Sequence, residues 1–158
     1  MASTHPTSAR SHAFSLVELL MVIAIIALLG GIAAPRWAGA NQHYQLDLAA
    51  QRIVADLSLA QSRANFSSGS VTVNFSTSSN NYQILGMPNP DQSTGIYTVT
   101  LAAPPYQAVL TSANFGGTSQ IAFDGYGTPT AGGTVVVTVG NRNHTITVDA
   151  TSGRATIQ

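Results

Sequence analysis

Hydrophobic and polar positions divide the chain into three regimes. Residues 14–34 (FSLVELLMVIAIIALLGGIAA) are apolar apart from Ser15 and Glu18, and Pro35 closes the run. A helix needs about 20 apolar residues to cross a hydrocarbon core, so this stretch predicts a membrane-length helix. Further on, Leu46, Ala50, Ile53, Leu57, Ala60 and Ala64 recur at alternating steps of four and three. That spacing is one helix face and predicts that the helix continues to about Asn65. From Ser67 the period falls to two, predicting strands at 71–75, 82–85, 96–101, 108–112, 120–123, 135–139, 145–148 and 154–157. Gly, Pro, Asn or Asp stands in each gap, as turns require, and 140–143 reads as a hairpin connection.

A long helix whose apolar stripe covers short antiparallel strands is an α+β arrangement. The chain accordingly divides into a polar segment 1–13, an apolar helix 14–35, its amphipathic continuation 36–66 and an antiparallel β domain 67–158. A bend or loosening is expected near Gly30, Gly31 and Pro35. Small residues there (Gly30, Gly31, Ala33, Ala34) allow close approach of a second helix. Arg52 and Asp56, at i and i+4, can pair along the helix.

Charge changes the picture by its scarcity. Six Arg, five Asp, one Glu and no Lys sum to zero. Such a chain exerts no long-range pull on nucleic acid or anionic lipid. Cys is absent, which excludes disulfides and thiolate chemistry. No H-E-x-x-H, G-x-S-x-G or P-loop occurs, and the four His (His5, His12, His43, His144) are scattered. His144 reads as a solvated strand residue and Asp124-Gly125 as a turn. No catalytic site, cofactor or metal site is expected.

Two targeting readings compete for the N-terminus. In the first, Arg10 and the apolar run form a secretory signal cut at Ala38-Gly39-Ala40. The run exceeds the roughly 7–15 residues of such a signal, it contains Glu18, and Arg36 and Trp37 interrupt the approach to the cut. In the second, the cut falls between Ala13 and Phe14 and the run is retained. Here Phe14-Ser15-Leu16-Val17-Glu18-Leu19-Leu20 resembles the processing motif of the type IV pilin and pseudopilin superfamily. The resemblance implies removal of residues 1–13 by a prepilin peptidase, N-methylation of Phe14 and a helix-bending role for Pro35. It departs at Ala13, where the family usually has Gly, which predicts slower processing. Arg10 and Arg36 flank the run one apiece, so charge sets no orientation. The resemblance implies a single pass through the bacterial inner membrane, N-terminus cytoplasmic and β domain periplasmic.

Glu18 is costly in lipid and calls for a reason. Cleavage would place a positive α-amino group at Phe14, one turn from the carboxylate, and helix dipoles favour an acid there. The resemblance implies that Glu18 meets the amine of a neighbouring subunit during assembly. Snorkelling to the headgroups is the plainer alternative.

The C-terminal half narrows the resemblance. Ile121-Ala122-Phe123-Asp124-Gly125-Tyr126-Gly127, the next two strands and Ser152-Gly153-Arg154 resemble the GspH/FimT minor pseudopilins. DNA-uptake members carry a terminal Gly-Arg-x-Arg, but here the run is Gly153-Arg154-Ala155-Thr156, without the second Arg. With Arg142 the other arginine beyond Arg63, phosphate contacts would be few and salt-sensitive, so Arg142 and Arg154 make DNA a weak candidate partner. The expectation is a minor pilin or pseudopilin, an assembly subunit of a type II secretion pseudopilus or type IV pilus. Its partners would be sibling pilins, prepilin peptidase and the inner-membrane assembly machinery. A DNA-binding minor pilin and a secreted β domain are the alternatives.

Overall fold

The computed structural model describes residues 15–89 and 95–158, and the side chains of all of these except 32–40. The fold divides between Ala38 and Gly39 into two compact units. Helix α1 spans Leu16–Ser67, and among the described residues eight strands follow. The helical assignment continues without a break through Gly30, Gly31 and Pro35. At the far end Ser68, at φ 50°, donates its N–H to Asn65 O, and Gly69 N–H reaches Ala64 O at 3.2 Å. Those two bonds satisfy carbonyls that a helix end leaves orphaned and stop it by a Schellman motif.

The strands are β1 (Val71–Ser76), β2 (Asn81–Pro88), β3 (Ile96–Thr100), β4 (Val109–Phe115), β5 (Gln120–Phe123), β6 (Gly133–Val139), β7 (Arg142–Val148) and β8 (Ala155–Ile157). They form two four-stranded sheets, ordered β3-β2-β1-β5 and β4-β6-β7-β8. Every pairing is antiparallel. Alternation places Val71, Val73 and Phe75 of β1 and Val135, Val137 and Val139 of β6 inward. These residues join the buried face of α1 in one core. All six residues of the predicted helix face are at most 2% exposed, and Ala49 joins them. Four of the seven are Ala, so the helix backbone can lie close to the sheets. Truncating Ile53 or Leu57 to Ala in so full a core would cost about 2–5 kcal/mol.

Some element edges differ from expectation. Val139 pairs with Arg142, so the β6–β7 connection is only Gly140-Asn141, and Arg142 and Asn143 already belong to β7. Gly140, at φ 60°, takes the first position of this two-residue turn, the type II′ arrangement that matches strand twist. β2 runs to Pro88 rather than Leu85 through an irregular register between Ile84 and Pro88.

Candidate functional site

The first part of α1 has no core of its own to cover. From Leu16 to Leu29 its large apolar side chains are exposed, between 46% at Val22 and 77% at Leu16. A helix apolar on every side is a surface for lipid or other helices. Glu18 is exposed in its first turn. The described apolar part, residues 16–31, rises roughly 24 Å against a hydrocarbon core of about 30 Å. Among the described residues no helix is long and apolar enough to cross a membrane; the apolar sequence itself continues to Ala34. Ala13 and Phe14 lie outside the described residues. Pro35 lies within α1, its side chain outside them.

The later part of α1 has two faces. Its outer side carries Tyr44, Gln51, Ala55, Ser58, Leu59, Ser62 and Phe66, all exposed and spaced as one helical stripe. No Asp or Arg of residues 41–67 is exposed. The four charges there are half-buried or buried instead, and two of them build a cluster against the first sheet. Asp56, only 4% exposed, accepts from Tyr82 Oη at 2.5 Å, from Tyr97 Oη at 3.0 Å and from Arg52 Nε at 3.0 Å. Arg52 Nη2 also donates to Tyr97 Oη. Burial, then the Asp56 charge, pushes the Tyr82 hydroxyl far above its usual pKa and that of Tyr97 up to about 12. Burial by itself would lower the Arg52 pKa; the Asp56 charge and hydrogen bond outweigh it and raise it. The i, i+4 pairing of Arg52 with Asp56 expected from the sequence is present, and it is joined by two tyrosines from the sheet. Steps of four, three and four through Ala49, Ile53, Asp56 and Ala60 carried the signal that Asp56 faces the core.

The two C-terminal motifs meet on one helix residue. Gln61 Nε2 donates to Gly127 O at 2.8 Å and to Ser152 O at 2.7 Å, clasping both turns to α1. Asp124 Oδ1 ties its turn together through Tyr126 N and Thr128 N. Asp149 Oδ1 does the same through Thr151 N, Ser152 N and Ser152 Oγ, and these bonds hold its pKa below 3.8, Ser152 N foremost. Gly153 sits at φ 70°, and a Cβ there would lie 2.7 Å from Gln61 Nε2, so that the clasping amide would have to shift. The motif residues are thus turn and packing devices.

Arg142 and Arg154 are exposed but not together. Arg142 opens β7, and Arg154 precedes β8, whose Ala155 pairs with Val148 at the other end of β7. Six residues of strand separate the two ends, roughly 20 Å. Arg154 lines an open pocket with Thr147, Asp149, Ser152 and Thr156. His144 is not the solvated strand residue expected. Its Nε2 meets Asp47 Oδ1 at 2.8 Å across 97 residues, and His43 Nδ1 meets Asp47 Oδ2 at 2.9 Å. The His144 bond is the first cause holding Asp47 below its usual pKa. Among the described residues no group of three or more His, Asp or Glu is placed to hold a metal ion.

Residues 49–153 match the family of the type II transport protein GspH. Residues 8–34 match the prokaryotic N-terminal methylation motif. Among curated proteins there is no match. Among solved structures the chain is similar to the type IV minor pilin FimU of Pseudomonas aeruginosa. Identity is 13%, coverage 73% of this chain and 88% of that one, and the TM-score 0.49.

Proposed function

The chain belongs to the GspH family of type II transport proteins, and from that membership we propose how it serves as a pilin-like structural subunit. The apolar first part of α1, exposed on every side beneath a methylation motif, carries the reading. The subunit waits in the bacterial inner membrane with its N-terminus cytoplasmic and residues 39–158 periplasmic. A prepilin peptidase cuts between Ala13 and Phe14, and Phe14 is methylated. Assembly machinery then moves the helix from lipid into a filament, where neighbouring helices replace the acyl chains. Since both surroundings are apolar, specificity must come from polar contacts and close packing. Glu18 supplies one: its carboxylate pairs with the α-amino group of an adjacent subunit, each offsetting a charge that apolar surroundings would penalise. Pro35 lacks the N–H that would bond the carbonyl four residues earlier, which lets the helix adjust there.

The test is the intact mass and N-terminal residue of the chain recovered from cell membranes. Methylated Phe14 is the expected start. A soluble chain starting at Asn41 would overturn the reading in favour of a secreted β domain. A Glu18→Val variant is expected to be processed and held in the membrane yet missing from filaments. Its normal entry into filaments would remove Glu18 from the mechanism.

A further inference from the structure

Asp47 engages two imidazoles through its two oxygens, one from its own helix and one from β7. This leaves one nitrogen of each ring, His43 Nε2 and His144 Nδ1, with no hydrogen bond among the described residues. Both rings line a pocket of about 220 Å³ with Leu46, Arg142 and Asn143. The Arg142 guanidinium has no ion-pair partner among the described residues. Three residues with unused polar groups therefore border one small opening. We propose that this pocket binds an oxyanion, a carboxylate or phosphate group, held by Arg142, His43 Nε2 and His144 Nδ1 when the imidazoles are protonated.

The proton requirement follows from Asp47. An ionised carboxylate only accepts hydrogen bonds, so the ring nitrogen facing it must carry a proton. A neutral imidazole has one such proton, and it is donated in the bond to Asp47. The other ring nitrogen then bears a lone pair, which repels an anion. Protonation makes that nitrogen a donor too, and His changes charge within the physiological range. Charge changes in step. The charged and titratable groups at the pocket are His43 and Asp47 from α1 and Arg142 and His144 from β7. The β6–β7 turn, Gly140-Asn141, contributes none. With neutral imidazoles Arg142 and Asp47 cancel; each imidazolium adds one positive charge. Arg142 can form a planar fork on either anion. The site goes beyond assembly and stands whether or not the filament reading holds.

The test follows the ring signals of His43 and His144 by NMR in the full chain in non-ionic detergent micelles. Inorganic phosphate and acetate are titrated separately at constant ionic strength, at about pH 5.5 and about pH 8, since histidine is the side chain whose charge ordinarily changes over that range. Saturable shifts are expected at the lower pH, and acetate, ionised at both pH values, should bind about tenfold or more weaker at the higher. Arg142→Ala should abolish saturation at the lower pH while the far-UV circular dichroism stays unchanged, since Arg142 is exposed. Saturation by phosphate alone identifies a phosphate site, and saturation by acetate, with or without phosphate, a carboxylate-accepting one. Shifts that never saturate with either anion, equal acetate affinity at both pH values, or binding that survives Arg142→Ala overturns the proposal.

Discussion

Asp56→Ala is the sharpest test of how α1 is fastened to the first sheet. In the native chain the carboxylate accepts from two tyrosine hydroxyls whose residues are 1% and 2% exposed, and from Arg52. Removing it strands both hydroxyls as donors, at about 1–3 kcal/mol each. Arg52 is only half-buried and regains water, so its loss adds little. Two stranded donors give about 2–6 kcal/mol, a span that contains the about 3–5 kcal/mol found when one partner of a buried ion pair is deleted. That is a large part of the about 5–15 kcal/mol a domain has. Tyr82→Phe keeps the ring, removes the donor with its bond, and leaves Asp56 served by Tyr97 and Arg52; it should cost about 1.5–3 kcal/mol. The two effects must not add. In the Asp56→Ala background Tyr82→Phe removes an orphan and should be neutral or stabilising. Urea unfolding of the full chain in non-ionic detergent, followed by circular dichroism, reads all three variants. An Asp56→Ala cost below about 1 kcal/mol, or additive effects in the double variant, would refute the reasoning.

Gly153→Ala would combine a strained φ of 70° with a Cβ 2.7 Å from Gln61 Nε2 and 3.1 Å from Phe123. The loss should be about 1–3 kcal/mol, read from the urea midpoint. Gln61→Ala should cost less and should partly relieve Gly153→Ala when combined with it, because the first obstacle is then gone. Acid should loosen the β7–β8 turn. Asp149 has a folded pKa below its ordinary 3.8, so its contribution is present above that value and fades as pH falls through the lower folded one. Melting temperature measured from about pH 5 to about pH 2 should therefore fall less steeply in Asp149→Asn than in the parent chain, and identical slopes would discard the turn as an acid-sensitive element.

Local pattern made most of this fold legible. Steps of three and four identified the buried helix face, and alternation found each of the described strands, because both record which side meets the core. What pattern could not supply was tertiary pairing of polar groups. Asp47 and His144 lie 97 residues apart, and Gln61 reaches carbonyls 66 and 91 residues on. No periodicity encodes such a bond. The turn motifs were visible as residues, while the side chain that holds them was not. Asp56 is an intermediate case, since its spacing pointed inward and only its polarity argued against.

The placement of charge bears on how such a subunit can be buried twice, once in its own fold and again in a filament. Among the described residues of 39–158, each carboxylate is engaged internally: Asp47 by imidazoles, Asp56 by tyrosines and Arg52, Asp124 and Asp149 by turn N–H groups. The outer stripe of α1 is left without a permanent charge. An uncharged face of Ala, Ser, Gln and Leu loses little when a second helix covers it, whereas each unpaired charge would cost several kcal/mol there. Ala55→Lys separates the two burials. Ala55 is exposed in the subunit, so its own stability should move by no more than about 0.5 kcal/mol. Incorporation should nevertheless fall sharply, measured as the fraction of the variant recovered in sheared filaments against the membrane pool. Normal incorporation at unchanged stability would show that this stripe faces solvent in the filament, and the absence of charge along it would then need another cause.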